Sequence, residues 1–428
     1  MKAWNGLGRV ESLMGSDLIV VAGGTHGLPG PVHQLMLRLL LDRQILWVDA
    51  DAFFPAPPLT GRAGERSGDP SASGASSASG EPFERSPMPS AKCPFPILTS
   101  SAVETDGIDP AGFVSPLALT RRIRRAAGML GLHRPMLWLA SPWACVLAEL
   151  FAGPALVYQH VPVARSAIEA GKAVPGDADL PAAAIRSAEL ARQESAIAQR
   201  ADLILTSTVE SAARFDQEKT RLLANGVDTD LFATPAQRAL GMPWDRPVVG
   251  FHGHLDERFD TERVAELARQ LPQWHFMLIG PASTDVSRLQ VMDNVTLTGC
   301  LPHEELPRYS QYWTAAIMPL RGGAPPMPDV PLQLGEYLAA GLPVVVSGEQ
   351  NLGRYYDLVS CADNAPALAQ ALQACAEEPP SCRALRQTRL LGDAWSIRAG
   401  FVNRLLDKLE VRERLPGTAY DQVEAWTL

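Results

Sequence analysis

Glu336 occupies an unusual place for a carboxylate. It lies in the run Pro331-Leu332-Gln333-Leu334-Gly335-Glu336-Tyr337-Leu338-Ala339-Ala340-Gly341-Leu342-Pro343-Val344-Val345-Val346-Ser347, which reads as a short helix, a glycine stop and a buried strand. An acid near a helix C-terminus gains nothing from the helix dipole, which favours acids at the other end. It is therefore either a solvated surface glutamate or a carboxylate held by a specific partner. His160 ends the apolar strand Ala155–His160, and strand carboxyl ends in open α/β sheets face ligand crevices. It reads as a histidine facing a ligand crevice or as a hydrogen-bonded structural one. Gly24 and His26 belong to a glycine-rich loop, Gly23 to Gly30, which also reads as an ordinary tight turn. Gly253 follows another apolar strand and, lacking a side chain, lets a ligand approach the backbone. Arg258 offers positive charge, for which Asp256, Glu257 and Asp260 compete.

The elements that must position these groups alternate between strand and helix. Leu332, Leu334 and Leu338 give the Glu336 helix an apolar side. Gly341 sits where a helix C-terminus tolerates positive φ, and Pro343 bars any further helical turn. Val344 to Val346 is a β-branched run of the parallel-sheet kind. Earlier in the chain, Asp17–Ala22, the glycine loop, a helix from Pro31 to Leu41 and Ile45–Asp49 form a βαβ unit. Its loop is not G-x-G-x-x-G and lacks the acid about 20 residues on, so a nicotinamide cofactor is not indicated. Further strands are expected over 135–140, 155–160, 201–208, 247–252, 275–281, 294–299 and 315–320. Helices are expected over 183–200, 262–271, 306–312 and 395–411. Residues 55–96 are rich in Pro, Ser, Gly and Ala, cannot bury a core, and read as a disordered insertion inside the first domain. Residues 412–428 read as a loosely held tail.

A helix over Ser115–Leu130 carries Arg121, Arg122, Arg124 and Arg125. This is a solvated basic face or, for a lipid-linked substrate, a contact with an anionic membrane surface. The net charge of −9 over 428 residues gives the molecule no general attraction for nucleic acid. With 46% hydrophobic and 20% charged residues, the composition is that of a soluble globular protein. No stretch of about 18 uninterrupted apolar residues spans a membrane. The six cysteines show no metal spacing. With no basic-then-apolar leader in Met1 to Ser16, they are expected to be free thiols in a reducing cytoplasm.

The string P-x-Q-x-x-E-Y-x-A-x-G-x-P-V-V around Glu336 resembles the nucleotide-sugar site of GT-B glycosyltransferases of the GT4-like kind. Asn225-Gly226-Val227-Asp228 with Phe232 resembles the segment joining that family's two domains, and Asn294-Val295 to Gly299 its N-V-x-x-x-G strand. Trp395-Ser396-Ile397-Arg398 resembles its Trp-x-x-Arg helix crossing back to the first domain. The resemblance implies an α/β chain with two Rossmann-like domains facing a cleft. The N-terminal domain would cover 16–225 and bind the acceptor; the C-terminal domain, 246–395, would bind the donor; a helix over 396–411 would return.

By the same resemblance, Glu336 would accept hydrogen bonds from both ribose hydroxyls, each charge-assisted bond contributing about 1.5–3 kcal/mol. Amides around Leu332, Gln333 and Leu334, with Gly253 and Arg258, would face the diphosphate, for which helix N-terminal N–H groups are suited. Leu301, with Cys300, would cover the base. His160 would meet the donor sugar or the acceptor proton, and Gly24 and His26 the acceptor or diphosphate. Two departures stand out. Pro328 occupies the place eight residues before Glu336 where the family carries a first glutamate, and Gln333 replaces a frequent lysine. Asp329 is the nearest acid. The implied activity is transfer of a sugar from a UDP- or GDP-linked donor to a saccharide or lipid-linked acceptor in polysaccharide biosynthesis. No cofactor or metal is expected, and the implied location is the cytoplasm, peripheral at the inner face of the membrane. A GT-B nucleotide-sugar 2-epimerase and a degenerate binding protein are the alternatives.

Overall fold

Runs of β-branched and leucine residues, too apolar to alternate with polar ones, form two parallel sheets. The computed structural model describes residues 16–23, 30–53, 95–99, 115–151, 155–161, 180–243, 245–322, 329–348 and 350–414. The expected insertion therefore lies outside the described residues except at its last two positions, and the tail lies outside them from residue 415 on.

The first sheet contains β1 (Leu18–Ala22), β2 (Ile45–Asp49), β3 (Ile97–Leu98), β4 (Met136–Leu139), β5 (Leu156–His160), β6 (Leu203–Thr206) and β7 (Thr220–Leu222). Their order is β3-β2-β1-β4-β5-β6-β7. The second contains β8 (Val248–His252), β9 (His275–Ile279), β10 (Val295–Gly299), β11 (Ala315–Pro319), β12 (Val344–Ser347) and β13 (Val359–Cys361), in the order β10-β9-β8-β11-β12-β13. Every pairing is parallel, Leu18 facing Ile45 and Met136, and Val248 facing His275. Strand order reverses beside β1 and beside β8, and crevices for ligands open at such switch points. β1 feeds both faces of its sheet. Leu18, Val20 and Ala22 pack with Trp47 and Trp138, while Ile19 and Val21 pack with Leu46 and Val48.

Helices of eight or more residues are α1 (Pro31–Leu39), α2 (Pro116–Met129), α3 (Leu180–Arg200), α4 (Thr261–Gln270), α5 (Leu332–Ala339), α6 (Ala365–Ala376), α7 (Pro380–Leu390) and α8 (Trp395–Arg414). The helix expected over 306–312 is instead a 3₁₀ turn at His303–Glu305 followed by Pro307–Ser310. Pro307 has no N–H for the preceding turn and starts a new one. At the end of α5, Gly341 takes φ +78° and Leu342 N donates to Tyr337 O at 2.9 Å, closing the helix.

α8 carries the chain back from the second sheet to the first. Its Trp395, Ala399, Val402 and Leu406 join the core of Leu35, Met36 and Leu39 from α1. Arg43, buried beneath it, donates to Glu410 Oε1 at 2.8 Å, Asp407 Oδ1 at 2.5 Å and Asn403 Oδ1 at 2.9 Å. At the joining segment, Val227 N donates to Asp393 O at 2.8 Å and Trp395 N to Val227 O at 3.0 Å. A Cβ on Gly226 would fall 2.5 Å from the Trp395 ring, so that position admits only glycine without rearrangement.

Candidate functional site

β8 ends at His252, and the chain then turns sharply at Gly253, with φ +146°. Gly253 N donates to Ile279 O at 2.9 Å, and a Cβ here would meet Gln333 Nε2 at 2.9 Å. Gly280, at φ +140°, would place a Cβ 1.9 Å from Gly253 O. Two bare backbones thus touch at the ends of β8 and β9, with the Gln333 amide against them. Beyond the turn, Arg258 is gripped by Asp256: Nη2 donates to Oδ2 at 2.7 Å, Nε to Oδ2 at 3.0 Å, and the Arg258 backbone N to Oδ1 at 2.9 Å. Arg258, Asp256, His254, Leu332, Gln333 and Asp329 line one cleft cavity of about 340 Å³. Arg258, Leu332 and Gln333 thus line one cavity, Gly253 abuts Gln333, and Asp256 is one of the neighbouring acids that holds Arg258.

α5 starts at this cavity, capped by Pro331 with no side-chain bond; Leu334 N already turns back to Pro331 O at 3.1 Å. Leu334 is a core residue rather than a cavity wall. Glu336 is buried one turn further on. Its Oε1 accepts from His303 Nε2 at 2.7 Å, and its Oε2 lies 3.7 Å from His252 Nδ1. Burial alone would lower the His303 pKa, but the hydrogen bond and charge of Glu336 outweigh it and raise the value. His252 moves the other way, to about 4, because burial exceeds the pull of Glu336. Tyr337 Oη bridges the His252 backbone, accepting from its N at 2.8 Å and donating to its O at 3.1 Å. Phe232, from the joining segment, stacks on His252 and meets His303 edge-on. A buried His–Glu pair thus holds the odd carboxylate. Sequence reading misses both histidines: His303 is 33 residues from Glu336, beyond any local periodicity. Leu301 is half-buried against the same core cluster, and Cys300 is exposed.

From the first sheet, His160 comes buried to the end of β5. Its Nε2 lies 3.4 Å from Glu194 Oε1 on α3 and 3.5 Å from Arg214 Nη1. Burial opposes the Glu194 charge, but His160 and Arg214 overcome it and hold the carboxyl below its ordinary pKa. His160, Ser207, Asn225 and Asp329 share a recess of about 10 Å³. Asp329 is an acid shared by three compartments of the cleft. It lines this recess, the Arg258 cavity, and a second cavity of about 340 Å³ that reaches Thr208, Arg354 and Arg398. Burial raises its pKa, against smaller opposing effects of Ser207 and His160. Gly24 and His26 lie outside the described residues, as does Pro328. Among the described residues no group of three His, Cys, Asp or Glu side chains can hold a metal, and no helix is long and apolar enough to cross a membrane. The five described cysteines are unpaired.

Two doubly wound parallel sheets, with their switch points facing one cleft and a terminal helix crossing back, are the GT-B architecture. Solved structures share it. Sucrose-phosphate synthase from Thermosynechococcus elongatus superposes with a TM-score of 0.62 at 17% identity, over 92% of this chain and 99% of that one. Anabaena HepE, solved with UDP, gives 0.54 at 14% identity over 91% and 99%. Residues 246–378, the second sheet and its helices, match the family model "Glycosyl transferases group 1". TuaH of Bacillus subtilis (strain 168), whose name places it provisionally among teichuronic acid biosynthesis glycosyltransferases, is 31% identical over 226 residues. That match covers 50% of this chain and 55% of TuaH, so the chain spans about half the length of this curated relative.

Proposed function

We propose that this protein is a glycosyltransferase that moves a sugar from a nucleotide-diphosphate sugar to a saccharide or lipid-linked acceptor in polysaccharide biosynthesis. The carrying observation is the Arg258 cavity, where the bare turn at Gly253, the Gln333 amide and the start of α5 converge at the switch point of the family-matched half. A diphosphate there meets helix N–H groups and a guanidinium, which stabilise the negative charge that grows on the leaving group. Glu336, whose Oε1 bonds His303, retains lone pairs for ribose hydroxyls. Asp329 and His160 face the transfer point from opposite domains, lining one recess. The acceptor approaches from the first sheet. TuaH's name supports polysaccharide assembly over the epimerase or binding-protein readings.

For a lipid-linked acceptor, α2 offers a membrane contact at the inner face of a cytoplasmic membrane: Arg121, Arg124 and Arg125 are exposed beside Leu117 and Met129. Co-sedimentation with anionic and neutral vesicles tests this contact.

Calorimetry with UDP, GDP and ADP tests the donor reading, starting with UDP because HepE was solved with it. One diphosphate is expected to bind, and Arg258→Ala to weaken it about tenfold, roughly 1.4 kcal/mol. Absence of binding by all three nucleotides defeats the proposal.

A further inference from the structure

Glu194 has no obvious structural reason to be ionised where it is. It is buried on the inner side of α3, where an apolar residue of similar size would pack at no electrostatic cost. Instead three polar groups converge on it. Arg214 Nη2 donates to Oε2 at 2.6 Å, Tyr158 Oη donates to Oε1 at 3.4 Å, and His160 Nε2 stands 3.4 Å from Oε1. The His160 ring is also boxed edge-on by Tyr158 and Phe215, with centroids 6.3 and 5.5 Å away. Its other nitrogen, Nδ1, is buried and has no hydrogen-bond partner among the described residues. A buried polar atom without a partner is costly, and its presence calls for a reason. The recess that His160 lines with Asp329 holds about 10 Å³, the room of a single water-sized group.

We propose that Glu194 is a positioning residue that acts through His160. It fixes the ring with Nε2–H toward the carboxylate, so that the Nδ1 lone pair accepts a hydrogen bond from one sugar hydroxyl entering the recess. This deepens the transferase reading and rests on it for the identity of the hydroxyl. Two charged groups compete to set the tautomer, since Arg214 Nη1 is 3.5 Å from the same Nε2. The carboxylate prevails for two reasons. Its side chain is 8% exposed against 52% for Arg214, so its field is screened less. The guanidinium is also already engaged by its short bond to Oε2. A histidine's tautomer is set by the bond its other nitrogen makes. A site arranged to accept from a hydroxyl rejects the deoxy analogue, because the buried acceptor is then left unpaired.

The test is long-range ¹⁵N–¹H NMR on the full chain labelled at histidine, with His160 assigned by His160→Gln. The proposal expects His160 protonated at Nε2 and bare at Nδ1, and a shift toward Nδ1–H in Glu194→Gln, whose amide offers a proton to Nε2. Nδ1–H in the wild type overturns it. Turnover, read as nucleoside diphosphate release, is the second arm. Glu194→Gln is expected to lower kcat roughly tenfold, as loss of the group that orients a site histidine does, and to have no further effect in a His160→Gln background. An equal loss in both backgrounds means a merely structural Glu194 and overturns the proposal. Should Glu194→Gln fail to fold, Glu194→Asp, which shortens the reach but keeps the charge, is expected to retain the Nε2–H tautomer with a lower kcat. Absence of turnover with every nucleotide sugar defeats the transferase reading, while the wild-type tautomer still decides this one.

Discussion

The two halves of the cleft each bury a histidine against a glutamate, and the pairs differ in what closes them. In the second half His303 meets Glu336 at 2.7 Å, inside a wall made by Phe232, His252 and Tyr337. In the first half His160 stands 3.4 Å from Glu194, and the carboxylate's strongest partner is Arg214, itself half in solvent. Aromatic rings pack around both pairs, but the carboxylate of the first half is backed by a half-exposed cation, and its histidine leaves Nδ1 buried without a partner among the described residues. Identical residue types thus sit in two different settings, a tightly bonded pair in one half and a looser one in the other. What separates them is the ring of neighbours around each pair, not the pair itself.

The sharpest way to break this comparison is to remove each carboxylate. Glu336→Ala leaves His303 and His252 buried without the carboxylate that lies against both, and removal of one member of a buried pair costs about 3–5 kcal/mol. Neutral His303 relieves part of that, so roughly 3 kcal/mol is expected in urea unfolding, together with at least a tenfold loss of nucleotide binding. Glu194→Ala frees an Arg214 that can hydrate, and about 1–2 kcal/mol is expected. Equal losses for the two variants would erase the distinction.

pH separates the halves further. His252 in the second half and His33 in the first both have pKa values near 4, for both chiefly because of burial. Their folded values lie below the unfolded 6.5, so the unfolded chain binds more protons between these limits, and stability falls as pH drops from about 6.5 toward 4. Each group contributes up to about 3 kcal/mol, from 1.36 kcal/mol per pKa unit. His303 runs opposite. Its folded value is raised, so its contribution is whole below 6.5 and is lost as pH climbs through the raised value. Thermal melts from pH 4 to 8 should therefore show an acid limb that shrinks in His252→Phe and an alkaline decline that vanishes in His303→Gln.

These pairs also mark how far the sequence can be read. Leu18–Ala22, Val248–His252 and Val344–Ser347 announce buried parallel strands by composition alone, and Gly341 with Pro343 ends α5 where it is observed to end. The resemblance also groups Arg258, Leu332 and Gln333, which line one cavity, with Gly253, which abuts Gln333. The partners of Glu336 and His160 stay hidden, because each pairing is a tertiary contact 33 or 34 residues long in sequence. No local period encodes such a contact. Sequence reading assigns no element to residues 359–390, although α6 carries signals: Asn364 caps it, Pro366 lies in its first turn, and Leu368 and Leu372 share a face. β13, three residues at a sheet edge, gives no such signal.

A smaller effect is expected at the glycines. Gly253→Ala places a Cβ against the mobile end of Gln333 at an unfavourable φ, for a cost of about 1–2 kcal/mol. Gly280→Ala meets a carbonyl oxygen instead of a side chain and should cost more. Nucleotide affinity, measured by calorimetry, should fall in Gly253→Ala even where the fold is retained, because Gln333 must leave the cavity wall.

The least disruptive substitution compares the two tyrosines that back the histidines. Tyr337 Oη makes two bonds of 2.8 and 3.1 Å to the His252 backbone in a fully buried place, so Tyr337→Phe strands a buried N–H and C=O and should cost about 1–3 kcal/mol. Tyr158 Oη makes one long bond of 3.4 Å to a carboxylate that keeps Arg214, so Tyr158→Phe should cost about 0.5 kcal/mol. Urea midpoints at neutral pH check both. A Tyr158→Phe loss as large as that of Tyr337→Phe would mean that the first half is as tightly bonded as the second. His160 would then be a structural residue, with no lone pair to offer the cleft.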